Sequence, residues 1–104
     1  EVHAHYLGPF ARRSERNAPW VLGCELGGSD AYYASLWARR EVLNAVPVTI
    51  VWGMGDPAFT KMFFDKWRAA LPHARVHALE SVGHFPHEEA PEQLLAAVQE
   101  AALA

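Results

Sequence analysis

The stretch VTIVWGMGD, residues 48–56, decides how this chain folds. Its first part, 48–52, is an apolar run without polar alternation, which is typical of a parallel strand covered on both faces. Gly53 and Gly55 then allow a sharp turn, because glycine has no Cβ to restrict its backbone. Asp56 follows directly. The segment therefore predicts a buried strand that delivers one carboxylate at its carboxyl end.

A second stretch, SVGHFPHEE at residues 81–89, delivers an imidazole in the same way. A short strand is predicted at 75–79, Gly83 breaks its exit loop, and His84 follows. In open α/β sheets, sites form beyond the carboxyl ends of the strands. One helix and one strand fit between the two loops, so we expect Asp56 and His84 to lie side by side.

A carboxylate next to a histidine supplies two members of a catalytic triad. The carboxylate fixes the imidazole orientation and stabilises the imidazolium that forms when histidine acts as a base. Taken singly, Asp56 fits an ordinary turn before Pro57, and His84 fits an ordinary loop. Their shared position at strand exits favours the catalytic interpretation. No Gly-x-Ser-x-Gly elbow occurs in the sequence, so we expect an upstream part to carry the nucleophile.

Helices are predicted around these strands. Ser29 and Thr60 are N-cap candidates for helices over 30–43 and 61–71, and Pro91 opens a last helix. Their expected buried stripes are Tyr33, Leu36, Trp37 and Leu43; Phe63, Phe64, Trp67 and Leu71; and Leu94, Leu95, Val98 and Ala102. Glu88 and Glu89 are expected to favour the start of the last helix through its dipole.

Residues 1–28 are the least regular part of the sequence. Short helices and loops are expected there, with Pro19, Gly23 and Gly27-Gly28 as breaks. The expected apolar anchors are Tyr6, Phe10, Trp20, Leu22 and Leu26.

The predicted order of helix, strand, helix, strand, helix makes one right-handed crossover unit. Two parallel strands alone leave unpaired edges. We therefore expect an incomplete α/β sheet that is completed by more chain upstream.

Composition bounds the function. The chain has 104 residues, 51% of them hydrophobic, and a net charge of −3, which gives no reason to expect nucleic acid or an anionic membrane as partner. A single cysteine, Cys24, excludes an internal disulfide and fits a cytoplasmic location. His84 and His87 lack the i, i+4 spacing of zinc helices, so neither a metal nor another cofactor is expected.

Two segments carry a resemblance to a known fold. VTIVWGMGDPAF (48–59) and SVGHFPHEEAP (81–91) resemble the last two strand-and-loop segments of the α/β-hydrolase fold. Within it, WGMGDPAF is most similar to haloalkane dehalogenases, and residues 5–16 and 29–43 strengthen that similarity. The resemblance implies an α/β fold, specifically the C-terminal portion of an α/β hydrolase with its last two parallel strands and flanking helices. Residues 1–28 then follow the cap region, and 29–104 form the C-terminal strand–helix–strand–helix part of the core.

The resemblance also implies roles. Asp56 matches the triad acid and His84 the base that hydrolyses a covalent ester intermediate, while Phe59 and Phe85 are candidate walls for a small apolar substrate. Epoxide hydrolases, esterases and C–C bond hydrolases share very similar endings, so a hydrolase of the same fold that acts on an epoxide, ester or lactone is an alternative. A non-catalytic fragment is a further alternative. An Asp and a Ser nucleophile both remain open. This chain alone is expected to be inactive.

Overall fold

The computed structural model describes residues 2–103 of the chain. The chain divides into two compact units, Glu1–Ala38 and Arg39–Ala104. Helices form the first unit, and both strands belong to the second. None of the helices within 2–103 is long and apolar enough to cross a bilayer.

The first unit is built from short helical elements. Its α-helices are α1 (Val2–Leu7), α2 (Asn17–Gly28) and α3 (Asp30–Ala38). Two 3₁₀ turns, Gly8–Phe10 and Arg13–Arg16, connect α1 to α2. This agrees with the short helices expected for the N-terminal segment.

Helix α2 is continuous through Pro19 and Gly23, so the breaks predicted there were wrong, whereas it ends at Gly28, where the Gly27-Gly28 break was predicted. Pro19 lies in its first turn, where a missing N–H removes no helical hydrogen bond. Gly23 lies inside the helix, at a cost of about 1 kcal/mol relative to alanine, which a helix of this length tolerates. The backbone N–H of Ser29 closes the helix on the carbonyl of Glu25 at 3.0 Å.

The predicted anchors of the N-terminal segment are not buried. Tyr6, Phe10, Trp20, Leu22 and Leu26 are all exposed. A helix buries its apolar stripe only against another apolar surface. Helices α1, α2 and α3 bury none of their described residues. The burial predicted for the five apolar anchors was therefore wrong.

Helix α3 ends earlier than predicted. It stops at Ala38 instead of residue 43, and Arg40–Ala45 forms a 3₁₀ turn. Tightening to i→i+3 hydrogen bonds is common where an α-helix ends. The hydroxyl of Ser29 donates to the Glu25 carboxylate, so this side chain faces α2 rather than capping α3.

The second unit contains the predicted strand–helix–strand–helix order. Strand β1 is Thr49–Gly53, helix α4 is Lys61–Ala70 and strand β2 is Arg75–Leu79. A short helix α5, Pro86–Glu89, precedes α6, Pro91–Ala102. The bounds of β2 match the prediction, whereas α5 was expected to be loop.

The two strands pair in parallel, as predicted. Their register runs from Thr49 opposite Arg75 to Gly53 opposite Leu79. Because paired strands end at the same level, the loops that follow them emerge together. The sheet thus brings the loops of Asp56 and His84 to one edge.

The core of this unit is small and lies between the sheet and its helices. The buried hydrophobic residues are Ile50, Phe64, Leu71, Leu79, Val82, Ala90 and Ala97. Phe64 and Leu71 confirm part of the stripe predicted for α4, although Phe63 is exposed.

The stripe predicted for α6 was wrong by a rotation of the helix. Leu95 and Val98 are exposed, whereas Ala97 is 1% exposed. Helix α6 contacts β1, and a small side chain at the contact allows a close approach. The prediction favoured the larger apolar residues and overlooked Ala97.

The loops after β1 and β2 touch through backbone atoms. The N–H of Met54 donates to the carbonyl of Leu79 at 3.0 Å, and that of Gly55 donates to Val82 at 2.9 Å. A Cβ at position 53 would lie 2.1 Å from the carbonyl oxygen of Gly83 and 2.6 Å from that of Val82. Only glycine therefore fits at the end of β1.

Replacing Gly53 with alanine should destabilise the complete protein. The added methyl meets backbone atoms that cannot move aside without parting the two loops, and overpacking of this kind costs roughly 1–3 kcal/mol. Urea unfolding measures the change. Gly23→Ala is the control, because its Cβ meets nothing within 4 Å and should stabilise α2 by about 1 kcal/mol. Equal midpoints for Gly53→Ala and the wild type would refute the steric argument.

The 104-residue chain studied alone should self-associate or fold only partly. The sheet of the described residues has two strands, so each has an edge without a strand partner, and unpaired edges promote association. Size-exclusion chromatography and thermal melting test this expectation. A sharp monomer peak with one cooperative transition would contradict it.

Candidate functional site

Asp56 sits in a tight turn directly after β1. Its backbone N–H donates to the carbonyl of Gly53 at 3.2 Å. Its side-chain Oδ1 accepts hydrogen bonds from the N–H groups of Ala58 at 2.7 Å and Phe59 at 3.0 Å. An aspartate that bonds its own following backbone forms an Asx turn. One carboxylate oxygen thus fixes the turn, and the other is available to a partner.

That partner is His84. Its Nδ1 lies 2.8 Å from Oδ2 of Asp56. The Asp56 side chain is 9% exposed and that of His84 is 40% exposed. An ionised carboxylate only accepts hydrogen bonds, so Nδ1 of His84 carries the proton, and a neutral ring then has its lone pair on Nε2. The structure therefore brings together the two residues predicted from the strand exits.

The surroundings of Asp56 keep it ionised. Desolvation acts to raise the pKa of its carboxyl, but the Phe59 N–H, the hydrogen bond with His84, the Ala58 N–H and the charge of His84 together lower this pKa below 3.8. Hydrogen bonds to the charged form favour that form. The carboxylate is thus charged at neutral pH and orients the imidazole.

Aromatic rings enclose His84. Phe59 stacks on the imidazole with centroids 5.5 Å apart and planes 13° apart, and Phe85 meets it edge-on at 4.9 Å. Both phenylalanines are about half exposed. Phe59 and His84 belong to the lining of an open cavity of about 300 Å³, together with Trp52 and Asp56. The structure therefore places Phe59 at this cavity, and Phe85 beside the histidine.

Trp52 supports this site in a way that the sequence did not indicate. Its indole Nε1 donates to the carbonyl of Phe59 at 2.9 Å, and its ring lies 5.9 Å from that of Phe64. As the last residue of the apolar run 48–52, this tryptophan was expected only to belong to the buried strand. The indole instead joins the core to the Asp56 turn, because a tryptophan has both an apolar body and one donor.

Glu89 is a second residue that sequence reasoning missed. Its Oε2 accepts from the N–H of Gly83 at 2.7 Å, and its Oε1 accepts from the N–H of Phe85 at 3.1 Å. An interaction with the dipole of the last helix was the expected role. The signal available in the sequence was a glutamate a few residues after a glycine-histidine turn, which does not by itself reveal a backbone partner.

The histidines and carboxylates of the described residues were also compared with the arrangement of a metal site. Within residues 2–103, no group of three or more His, Cys, Asp or Glu side chains is arranged to hold a metal ion. His87 lies edge-on to Phe85 at 5.8 Å. The site is therefore described by one acid–imidazole pair and the aromatic rings around it.

Replacing Asp56 with a neutral residue should make the free energy of unfolding of the complete protein depend less on pH in the acidic range. The folded-state pKa lies below the ordinary 3.8, so the contribution of this carboxylate is present above that pH and is lost as pH falls through the folded value. Asp56→Asn should thus be less stable than the wild type at neutral pH, and the difference should shrink below about pH 4. Urea unfolding from neutral to acidic pH measures it. A difference that grows on acidification would contradict the sign.

Comparison with known proteins adds to this geometry. Residues 2–98 match the family described as the alpha/beta hydrolase family. The chain is also similar to a cis-3-alkyl-4-alkyloxetan-2-one decarboxylase of Shewanella oneidensis, with 39% identity over 99 residues that cover 90% of this chain and 31% of that protein.

A protein of the same name from Xanthomonas campestris pv. campestris is 38% identical over 103 residues, which cover 94% of this chain and 34% of that protein. The chain thus spans about a third of the length of these curated relatives. The parallel strand pair, the family match and the two relatives agree with the α/β-hydrolase fold predicted from the sequence. The chain belongs to the alpha/beta hydrolase family.

Proposed function

We propose that the complete protein opens a strained four-membered lactone and releases carbon dioxide, with Asp56 and His84 as acid and base of its catalytic triad. The observation that carries the chemistry is the 2.8 Å contact between Nδ1 of His84 and Oδ2 of Asp56. A base of this kind takes a proton at Nε2 from the nucleophile or the substrate and returns it within the same turnover, so that no proton is consumed overall, and the Asp56 carboxylate stabilises the transient imidazolium.

The substrate class rests on the relatives. Two proteins named as decarboxylases of cis-3-alkyl-4-alkyloxetan-2-ones are similar to nearly the whole chain at 39% and 38% identity. An oxetan-2-one is a cyclic ester, and loss of its carboxyl group as carbon dioxide leaves a carbon–carbon double bond between the two substituted ring carbons. This balance needs neither water nor a redox partner. The alkyl groups of such a substrate suit the aromatic wall that Phe59 supplies.

Haloalkane hydrolysis is the second candidate. It is favoured by the resemblance of WGMGDPAF, residues 52–59, to the matching segment of haloalkane dehalogenases. An acid–base pair of the same geometry would there activate water against an ester intermediate. Epoxide and open-chain ester hydrolysis would use the pair in the same way.

The proposal includes a partner for the pair. A base and an acid with no nucleophile have only water to activate, so we propose that an upstream part of the same protein carries the nucleophile and that the 104-residue chain alone is inactive. The substrate is small and apolar, and neither nucleic acid nor a membrane takes part. A cytoplasmic location belongs to this proposal.

Replacing His84 with alanine in the complete protein should lower turnover about 10²- to 10⁴-fold, because the general base is removed. The melting temperature should change little, since the His84 side chain is 40% exposed and lies outside the hydrophobic core. The assay supplies a cis-3,4-dialkyl oxetan-2-one and measures alkene and carbon dioxide. A 1-haloalkane with halide detection runs in parallel. His73→Ala is the matched control, because His73 is an exposed histidine away from Asp56.

The products separate the candidates. Alkene with carbon dioxide supports the lactone decarboxylation, whereas a β-hydroxy acid from the same substrate indicates plain hydrolysis. Halide release without lactone turnover favours the dehalogenase. Near-normal turnover by the His84→Ala variant would refute the role of the pair whatever the substrate.

A further inference from the structure

We infer that Glu89 is a positioning residue for His84, acting through the backbone on both sides of the histidine. This inference rests on the proposed function, because it takes His84 to be the base. Glu89 touches no reacting atom and is not a catalytic residue.

The hydrogen bonds of Glu89 bracket the histidine. Oε2 accepts from Gly83, the residue before His84, and Oε1 accepts from Phe85, the residue after it. Hydrogen bonds from neutral donors to a charged acceptor are stronger than those between neutral groups. Two of them from one carboxylate hold the peptide groups on either side of His84 in a fixed relation, and this fixes the origin of its side chain.

Glu89 is itself held in place. Helix α5 links it to the same loop, since its backbone N–H donates to the carbonyl of Phe85 at 2.9 Å. The next N–H, of Ala90, donates to Pro86 at 2.9 Å, and the Ala90 side chain is buried. The carboxylate therefore starts from a backbone anchored in the core and closes back on the loop that carries His84.

Gly83 fits this arrangement closely. A Cβ at that position would lie 3.0 Å from Oε1 and 3.1 Å from Oε2 of Glu89. The absent side chain leaves room for the carboxylate to lie against the backbone. The same glycine follows Val82, whose carbonyl receives the N–H of Gly55 in the loop of Asp56. The loop of Asp56 thus bonds to Val82, and the carboxylate of Glu89 bonds to Gly83, the next residue of the loop that carries His84.

Positioning matters here because a loop carries His84 and leaves it partly exposed. Its side chain is 40% exposed, and its hydrogen bond to Asp56 comes from a loop. A displacement of about 1 Å in a catalytic group can lower the rate about 100-fold. Removal of the Glu89 carboxylate should thus lower kcat and leave KM almost unchanged, since no substrate contact is lost.

The experiment compares Glu89→Ala, Glu89→Gln and a control in the complete protein. Glutamine keeps one acceptor oxygen but turns an amide N–H₂ toward the other donor, so it preserves one of the two hydrogen bonds. Glu92→Gln is the matched control, because it removes one negative charge from an exposed glutamate at the start of α6. The readouts are kcat and KM with the oxetan-2-one, amide hydrogen exchange at Gly83 and Phe85, and the NMR signal of the His84 Nδ1–H proton.

The expected result is graded. Glu89→Ala should speed exchange at both amides about tenfold, lower kcat about 10- to 100-fold and weaken the His84 proton signal, with Glu89→Gln in between and Glu92→Gln like the wild type. Unchanged amide exchange, a wild-type kcat, or a raised KM with unchanged kcat would each overturn the inference. If the wild type turns over neither lactone nor haloalkane, the proposed function fails, and the amide exchange with the His84 proton signal decides the role of Glu89. Loss of that signal in Glu89→Ala supports positioning, and its retention refutes it.

Discussion

The contact between the carboxyl end of β1 and the loop after β2 is the constraint on which the rest of the site depends. Position 53 has no room for a side chain, because a Cβ there would lie 2.1 Å from the carbonyl oxygen of Gly83. Backbone hydrogen bonds from Met54 and Gly55 then join the two loops. Residues far apart in sequence are thereby held at the distance of one hydrogen bond. The geometry of Asp56 and His84 follows from this backbone contact, and their mutual attraction need not create it.

The two carboxylates of the site divide the work between them. Asp56 gives one oxygen to its own turn and the other to the imidazole, whereas Glu89 gives both oxygens to the backbone around His84. Charge pairs near solvent contribute little to stability, because water screens them and ordering the side chains costs entropy. With His84 40% exposed, the value of the Asp56 contact lies in fixing the ring tautomer and orientation. Glu89 is poised to fix the peptide frame from which the ring extends.

Those features whose cause is local in sequence were predictable. The bounds of β2, the parallel pairing and the meeting of Asp56 with His84 follow from apolar runs that end in glycine turns. The continuity of α2 was missed because Pro19 is harmless in a first turn, and the buried face of α6 was missed because Ala97 was outweighed by larger neighbours. Glu89 was missed because its partners are backbone N–H groups, which every sequence contains.

An acid–base pair of this kind does not by itself select a substrate. Under the proposed function it moves one proton at Nε2 of His84, and the geometry of the pair does not specify which group gives that proton. Discrimination between substrates depends on the nucleophile and on the shape of the apolar walls. This chain contributes Phe59 and Trp52 to the lining of an open cavity, while the relatives are about three times as long. Under the proposed function, Asp56 and His84 thus supply the proton transfer, and substrate selection depends on residues that the complete protein adds.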